Sequence, residues 1–454
     1  MGGQIKMLDN NLLLLTDSYK VTHWKQYSPG TQNVYSYLEA RGGASEEIIF
    51  FGLQYFIKRY LTGQVITREK IEEAEKIYKS HFGQDLFNKT GWEYILEKHG
   101  GMLPVEICAV KEGLKLPISR VLMTVENTDP HCYWLTNYLE TLLVQVWYPC
   151  SVATLSHEMR QMILGHLEKT GDPVLIDFKL HDFGFRGVSS VESAGIGGLA
   201  HLLNFKGTDT VQAIKIAMDY YNETEPVGYS IPASEHSTIT SWGRDKERGA
   251  MENMLNQYPT GLVACVSDSY DIFSACKNIW GDKLKEKVLM RDGVLVIRPD
   301  SGEHEDIYPR VLDILGSKFG YERNSKGYKV LNPKVRLIQG DGIDYNSCNE
   351  ILNILALSDW SADNIAFGMG GALLQKLNRD THSFAFKCSQ ILKNDTWYDV
   401  YKDPITDKGK KSKRGRFYRN LKPVFINGDL LKDWSFQECR SELLGGGKTN
   451  VIQY

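Results

Sequence analysis

This chain lacks the features that mark disulfide-rich, zinc-ribbon and membrane proteins. Its eight cysteines contain no Cys-x-x-Cys pair, which argues against a zinc ribbon and a dithiol redox motif. We therefore expect reduced, buried thiols. The longest early apolar run, Leu12 to Leu15, is shorter than a signal-peptide core, and no stretch approaches the ~20 apolar residues of a membrane span. No membrane partner and a cytoplasmic location are expected.

The chain also has little net charge. A formal charge of -3 over 454 residues gives no general attraction for nucleic acid or for an anionic membrane, so any anion site must be local. A content of 42% hydrophobic and 24% charged residues is typical of a soluble globular protein, and the length exceeds one ordinary domain. We predict two domains.

Five short apolar runs each end on a cluster of polar residues and glycine. Such runs are typical of buried strands. They are VLIDF before HDFGFRG (181–187), LVACV before SDSYD (267–271), VLVI before RPDSG (298–302), VRLIQ before GDGID (340–344) and NIAF before GMGG (368–371).

Helix-like stretches such as residues 305–319 lie between these runs, and this alternation predicts βα units around a parallel sheet. We predict an α/β barrel-like domain over residues 151–384. A mixed α+β domain would be formed by both termini, residues 1–150 and 385–454. In parallel α/β sheets, ligands meet the carboxyl ends of the strands, so the polar clusters are expected to converge on one site.

Two glycine-rich or basic segments allow more than one interpretation. The turn at residues 368–371 can hold phosphate on backbone N–H groups, or it can be only a tight βα turn. The basic run Lys408 to Arg416 favours a solvated, mobile loop, with a nucleic-acid patch or a phosphate-gripping flap as the alternatives.

Charged side chains next to the predicted strand ends suggest phosphate chemistry. Arg186, Arg298 and Arg379 offer planar guanidinium groups suited to phosphate oxygens, although any one of them could form an ordinary surface salt bridge. Acids at the same ends could accept ribose hydroxyls, hold waters on Mg²⁺, or simply cap helices. They are Asp182, Asp209, Asp268, Asp271, Asp300 and Asp341.

Three further side chains are candidates for specific roles. His236, beside Glu235, could act as an acid or base or accept a phosphoryl group, but a lone histidine is more often structural. Phe183 and Tyr19 could sandwich a flat ring, although aromatic residues more often belong to a core.

These residues, in this order, resemble those of the nicotinamide phosphoribosyltransferase family. The resemblance covers nearly the whole chain and rests on long, uncommon strings. They are TDSYKVTH (16–23), VENTDP, HDFGFRGVSS, NFKGTDT, YSIPASEHSTIT, VSDSYDI, IRPDSG, IQGDG, AFGMGG, LLQKLNRD and YKDP (401–404).

The resemblance implies a type II phosphoribosyltransferase fold and a homodimer with two active sites at the subunit interface. Its substrates would be nicotinamide and phosphoribosyl pyrophosphate, in NAD salvage. Phe183 and a partner subunit's Tyr19 would stack on the pyridine ring, and Asp209 would accept a hydrogen bond from the carboxamide.

The resemblance also implies the phosphate and sugar contacts. Arg186 and Arg298 would bind phosphate, and Asp300 and Asp341 would bind ribose hydroxyls. The 5′-phosphate would lie against the backbone at Gly340, Gly370 and Gly371, and the neighbouring subunit would close the pyrophosphate pocket with Arg41, Arg379, Lys387 and Lys402. Mg²⁺ would accompany phosphoribosyl pyrophosphate, with ligands that the resemblance does not assign. ATP would phosphorylate His236.

The chain departs from the family pattern at several points. Met369 replaces a serine in the glycine turn, and Ala264 replaces a small hydroxyl residue. The chain is also shorter near Arg41 to Glu47 and at its C-terminus. These changes could alter the phosphate loop and the lining of the nicotinamide tunnel.

Two rival functions stay open at this point. One is a nicotinate phosphoribosyltransferase, which Asp209 disfavours because two carboxylates ~4 Å apart repel by about 4 kcal/mol at an effective dielectric of 20. The other is a catalytically silent nucleotide-binding or signalling dimer, which the full set of Arg, Asp, Gly and His residues disfavours.

Overall fold

A computed structural model describes residues 11–43, 45–406 and 411–445. Among these residues, no helix is both long enough and apolar enough to cross a membrane. The chain divides into two compact units. The first comprises 1–154, 218–224 and 378–454, and the second comprises 155–217 and 225–377. The predicted domain boundaries, at residues 150 and 384, lie within seven residues of these bounds. The prediction did not assign residues 218–224 to the first unit.

The described residues form strands and helices throughout both units. The strands are β1 (Thr31–Ala40), β2 (Glu47–Ile49), β3 (Val105–Ala109), β4 (Lys115–Pro117), β5 (Val121–Asn127), β6 (Leu180–Asp182), β7 (Gly207–Thr208), β8 (Thr260–Val266), β9 (Asp292–Arg298), β10 (Tyr321–Arg323), β11 (Lys329–Leu331), β12 (Val335–Gln339), β13 (Ile365–Met369), β14 (Phe384–Lys393), β15 (Thr396–Asp399), β16 (Lys422–Ile426) and β17 (Asp429–Leu430).

The α-helices are α1 (Leu53–Phe56), α2 (Arg68–Phe82), α3 (Lys89–Lys98), α4 (Leu135–Tyr138), α5 (Glu140–Leu143), α6 (Trp147–Thr170), α7 (Val191–Leu202), α8 (Val211–Tyr220), α9 (His236–Thr240), α10 (Glu247–Gln257), α11 (Ile272–Ser274), α12 (Lys285–Met290), α13 (His304–Phe319), α14 (Tyr345–Leu357), α15 (Gly371–Leu374) and α16 (Phe436–Gly445). Two π-helices span Ile57–Leu61 and Ala275–Lys283. Short 3₁₀ helices span Leu12–Leu14, Ser18–Lys25, Pro130–Cys132, Val144–Val146, Pro173–Phe178, Phe185–Gly187, Arg244–Lys246, Ala362–Asn364 and Arg379–Thr381.

The first unit is built on an antiparallel sheet in which both ends of the chain take part. Its seven strands are ordered β15-β14-β1-β5-β3-β16-β17. β1 from the N-terminal part pairs with β14 from the C-terminal part, and β3 pairs with β16. The first unit is therefore one mixed α+β body made from the two termini.

The described part of the basic run is an irregular segment in which some cations are exposed and others are paired. Residues 407–410 lie outside the described residues, and within 411–416 Lys411 and Arg414 are exposed, whereas Lys413 and Arg416 are partly buried. Lys413 pairs with buried Glu39, and Arg416 pairs with Glu126 between the rings of Tyr35 and Trp397. The prediction of a solvated loop therefore fails for Lys413 and Arg416, which carboxylates and aromatic faces hold, while Lys411 and Arg414 remain exposed.

The second unit is built on a wholly parallel sheet of six strands, ordered β7-β6-β13-β12-β9-β8. Segment 229–233 joins the two edge strands. The N–H of Thr208 in β7 donates to Tyr229 (2.9 Å), and the N–H of Ala264 in β8 donates to Pro232 (2.8 Å). Both pairings are parallel. The segment therefore closes an irregular α/β barrel, which confirms the predicted fold class.

The sequence located four of the five predicted barrel strands correctly, as β8, β9, β12 and β13. The fifth prediction was wrong, because Pro173–Phe178 forms a 3₁₀ helix and the strand is Leu180–Asp182. Asp172 accepts the N–H of Val174, and Pro173 occupies the first helical position. Both features favour a helical start over a strand.

A buried lysine ties two barrel strands together at their amino ends. The Nζ of Lys179 donates to the carbonyl oxygens of Ala362 (2.8 Å), Asp363 (3.1 Å) and Ile365 (2.8 Å). Burial lowers the pKa of Lys179 to about 7. The amine therefore links the approach to β6 with the approach to β13, at the end of the sheet opposite the polar clusters.

Candidate functional site

The predicted site residues of the second unit lie at or after the carboxyl ends of the barrel strands or of segment 229–233. Because the strands are parallel, these ends share one edge of the sheet, which we call the carboxyl edge. The residues are Phe183 and Arg186 after β6, Asp209 after β7, His236 after segment 229–233, Arg298 and Asp300 at the end of β9, Gly340 and Asp341 after β12, and Gly370 and Gly371 after β13.

Two glycines provide the space that the ring of Phe183 occupies. A Cβ atom added at Gly368 would lie 2.0 Å from this ring, and one added at Gly340 would lie 3.1 Å from it. The N–H of Phe183 donates to the carbonyl of Met369 (3.0 Å). The ring therefore lies against the backbone of β13, where the lack of a side chain at Gly368 leaves room for it. Gly368 was part of the predicted glycine turn, but sequence reasoning gave it no role of its own.

Apolar side chains from three neighbouring strands pack beside Phe183 inside the barrel. Ala264, Val296 and Ile338 form a buried cluster, and Phe183 packs against it. Ala264, which replaces a small hydroxyl residue of the family pattern, thus belongs to the cluster that packs against the aromatic ring. The Met369 side chain is buried, and its backbone carbonyl accepts the N–H of Phe183.

Arg298 is oriented by a neighbouring carboxylate. Its Nε and Nη2 donate to the two carboxylate oxygens of Asp300, at 2.9 and 2.8 Å. The guanidinium carbon lies 6.0 Å from the centre of the Phe183 ring. The sequence predicted separate contacts for Arg298 and Asp300. The structure shows a bidentate pair, which fixes the plane of the guanidinium group.

Asp209 and Asp182 differ sharply in environment. Asp209 is exposed, and the hydroxyl of Ser230 donates to one of its carboxylate oxygens. Asp182 is fully buried, and burial raises its pKa to about 6. Since Asp182 accepts the N–H of Gly184 (2.7 Å), it shapes the turn that carries Phe183, while Asp209 can face a ligand.

His236 is paired with an acid to which the sequence gave no specific role. Its Nε2 lies 3.1 Å from Asp268 Oδ1, and the hydroxyl of Ser301 donates to the other oxygen of Asp268 (2.6 Å). The His236 side chain is 49% exposed, and the Asp268 side chain is only 5% exposed. A buried carboxylate thus holds one nitrogen of an accessible imidazole. In the sequence, Asp268 could be singled out only by its position after a predicted strand. Five other acids had the same kind of position, so its pairing with His236 could not be predicted.

The remaining predicted acids and glycines have simpler surroundings. Asp271 accepts the N–H of Ser274 (3.0 Å) and caps a helix. Asp341 and Arg186 are exposed. The helix after Gly370 is a single turn, Gly371–Leu374. Any phosphate there would depend on individual backbone N–H groups, because the aligned dipoles that make a macrodipole are few.

The first unit holds a cluster of cations of its own. Burial lowers the pKa of Lys387, Glu140 opposes this shift, and Arg41, Lys402 and Arg379 lower the pKa further. Arg41, Lys402 and Arg379 therefore each lie close enough to Lys387 to interact with it electrostatically. Such a set of cations is suited to a polyanion. Tyr19 belongs to the same unit, and its side chain is 57% exposed.

The described residues do not assemble the predicted acids into a metal cluster. Among them, the one group of three His, Cys, Asp or Glu side chains with metal-ligand proximity is His99, Asp129 and Cys132, in the first unit.

Two family models match the chain. Residues 178–429 match the nicotinate phosphoribosyltransferase (NAPRTase) family, and residues 11–107 match the nicotinamide phosphoribosyltransferase N-terminal domain. Among solved structures, nicotinate-nucleotide pyrophosphorylase from Pyrococcus furiosus has a TM-score of 0.55 at 15% identity, over 98% of both chains. Human nicotinic acid phosphoribosyltransferase has a TM-score of 0.53 at 15% identity, over 95% of this chain and 93% of that chain. These structures establish the fold alone.

Curated relatives are more similar. Nicotinamide phosphoribosyltransferase of Xanthomonas campestris is 47% identical over 95% of this chain and 98% of its own length. The enzyme of the same name from Acinetobacter baylyi is 32% identical over 95% and 97%, and that of Mycoplasma pneumoniae is 34% identical over 89% and 95%. This chain belongs to the nicotinamide phosphoribosyltransferase family.

Proposed function

We propose that this protein is a nicotinamide phosphoribosyltransferase, which joins nicotinamide to phosphoribosyl pyrophosphate and releases nicotinamide mononucleotide and pyrophosphate for NAD salvage. The observation that carries the proposal is the carboxyl edge of the barrel. There an aromatic ring, an oriented arginine and an exposed aspartate lie at strand ends of the same sheet. Family membership supports the same reaction.

In the proposed reaction, the pyridine nitrogen attacks C1 of the sugar and the C1–O bond to pyrophosphate breaks. The nitrogen already carries a lone pair, so no general base is needed. Phe183 would support the flat ring, and Asp300 and Asp341 would accept ribose hydroxyls. The protein contributes mainly by positioning and by stabilising charge on the leaving group.

The phosphate groups would be bound by cations and backbone N–H groups. Arg186 and Arg298 would bind phosphate oxygens, and the backbone at Gly340, Gly370 and Gly371 can approach a 5′-phosphate. Mg²⁺ bound to pyrophosphate oxygens would neutralise charge on the leaving group. Waters on that ion would contact the exposed carboxylate of Asp341.

Asp209 is proposed to select the amide over the acid. Ser230 occupies one carboxylate oxygen, and the other would accept an N–H of the carboxamide. Nicotinate would instead bring a second negative charge, and two carboxylates ~4 Å apart repel by about 4 kcal/mol at an effective dielectric of 20. This charge difference favours nicotinamide over the alternative substrate, nicotinate.

ATP is proposed to act through His236. Because Asp268 accepts from Nε2, Nδ1 carries the lone pair that would attack the γ-phosphorus of ATP. A P–N bond forms, the P–O bond breaks, and ADP leaves with the bonding electrons. Asp268 would stabilise the positive imidazole while it is phosphorylated.

The active enzyme is proposed to be a homodimer with shared sites. Arg41, Arg379, Lys387 and Lys402 of one subunit would bind the pyrophosphate at the other subunit's carboxyl edge, and Tyr19 would cover the pyridine ring. The support is the presence, in the first unit, of an exposed aromatic residue and a convergent cation set suited to a polyanion.

The function and the role of Asp209 are tested together by a product assay with phosphoribosyl pyrophosphate and either nicotinamide or nicotinate. The wild-type enzyme should form mononucleotide from nicotinamide. Asp209→Asn should lower the ratio of kcat/KM for nicotinamide to that for nicotinate by at least about tenfold, because it removes the repelling charge. Asp292→Asn, at the amino end of β9, is the control. An unchanged ratio in Asp209→Asn would show that another residue selects the base.

The support of Phe183 is tested with Gly368→Ala. The new methyl group overlaps the ring, so the ring must move, and KM for nicotinamide should rise by about ten- to a hundredfold. Gly165→Ala, on α6, is the control because a Cβ there meets no atom of the described residues within 4 Å. A folded Gly368→Ala enzyme with wild-type KM and kcat would contradict this role.

The ATP step is tested with His236→Ala and Asp268→Asn. His236→Ala should retain part of the transferase activity and lose its stimulation by ATP, since the transfer itself needs no base. Asp268→Asn should weaken the stimulation. Asp271→Asn is the matched control, because asparagine also caps helices. Full ATP stimulation in His236→Ala would reject the phosphorylated histidine.

The shared site is tested by mixing two inactive variants, Tyr19→Ala and Arg298→Ala. A mixed dimer would hold both changes in one site and none in the other. Activity should recover to about a quarter of the wild-type value, because half of randomly paired dimers are mixed and each has one intact site. Mass or fluorescence measurements must first show subunit exchange. Mixed dimers without activity would refute the shared site.

A further inference from the structure

The two arginines of the cation cluster lie on segments that are bonded to each other. The carbonyl oxygen of His382 accepts the N–H groups of Arg41 (3.0 Å) and Gly42 (3.3 Å). Arg41 Nε donates to the carbonyl of Ser383 (3.4 Å). Arg379 begins the short helix that ends just before His382. The positions of Arg41 and Arg379 are therefore coupled through the backbone around His382.

Gly43 brings the same two segments into close contact. Its φ of +111° lies in the left-handed region, and a Cβ there would lie 2.2 Å from the carbonyl oxygen of Thr381. Only glycine fits this approach without displacement. The link between β1 and β2, which carries Arg41 and Gly43, spans only residues 41–46. The contact with Thr381 is therefore made by a short connection.

The His382 side chain fastens this contact to a third element. Its Nε2 lies 3.1 Å from the hydroxyl of Ser45, and its Nδ1 lies 2.9 Å from the hydroxyl of Ser151 on α6. The residue is 3% exposed, and burial lowers its pKa. A neutral imidazole offers one donor and one acceptor, and serine hydroxyls can serve as either. Both ring nitrogens are thus satisfied without water.

We propose that His382 is a positioning residue for the pyrophosphate group of the substrate. It would touch no substrate atom. By joining the β1–β2 link, α6 and the Arg379–Thr381 turn, it would set the spacing between Arg41 and Arg379, and so the fit of both guanidinium groups to one polyanion. This inference rests on the proposed function of those arginines and adds a residue that orders them.

A merely structural histidine would behave differently from a positioning one. Loss of a structural contact lowers stability and leaves the KM values of the folded enzyme unchanged, or changes both alike. Loss of a positioning contact acts on the one ligand whose binding groups have moved. The KM for phosphoribosyl pyrophosphate, compared with the KM for nicotinamide, therefore separates the two roles.

The test uses the full-length variant His382→Phe, which retains a flat ring and loses both hydrogen bonds. KM for phosphoribosyl pyrophosphate and Kd for inorganic pyrophosphate, measured by calorimetry, should each rise by about tenfold or more, while KM for nicotinamide stays within about twofold. His81→Phe, at an exposed position of α2, is the control and should match the wild type. Ser151→Ala should show a smaller change in the same direction.

Each outcome decides the proposal. A folded His382→Phe enzyme with wild-type pyrophosphate affinity, or with both KM values raised alike, would overturn it. If His382→Phe does not fold, Ser45→Ala and Ser151→Ala decide instead, and unchanged pyrophosphate affinity in both would overturn it. If the wild type forms no mononucleotide, the proposed function fails. In that case the pyrophosphate titrations still show whether His382 orders an anion site.

Discussion

Parallel pairing of the barrel strands is the constraint on which the rest of the second unit depends. Six strands run in one direction, and segment 229–233 bonds to both edge strands. Residues that follow strands far apart in the sequence therefore meet at one end. Phe183, Asp209, His236 and Arg298 each lie at or after the end of a different strand or segment, and the parallel pairing brings these ends to one edge of the sheet.

Within that frame, neighbouring groups give each side chain a distinct character. Asp182 ends β6 and Asp209 follows the adjacent strand β7, yet burial makes Asp182 a fixed part of a turn and exposure makes Asp209 available to a ligand. Asp300 holds Arg298 in a plane, and Asp268 holds His236 by one nitrogen. Chemistry at this edge thus depends as much on the partners of the charged groups as on the groups themselves.

The sequence predicted the barrel because short β-branched runs before Asp and Gly are a strong local signal. It failed at VLIDF, where a capping Asp172 and Pro173 favour a helix over the apolar pattern. It could not reveal that Gly368 makes room for Phe183, or that Asp268 rather than its five neighbours pairs with His236. The role of His382 could not be predicted for the same reason. Its partners Ser45 and Ser151 lie hundreds of residues away in the sequence, and only folding brings them together.

The lysine that bonds three carbonyl groups at the amino ends of β6 and β13 bears on how the barrel comes into being. These two strands are paired neighbours, yet about 180 residues separate them in the chain, and such long-range pairing is slow to form. During synthesis, β6 emerges long before its neighbour. Until residues 362–369 are made, the edge of β6 that pairs with β13 has no strand beside it, and the Lys179 amine has none of its three carbonyl partners. Unpaired strand edges of this kind favour association between incompletely folded chains.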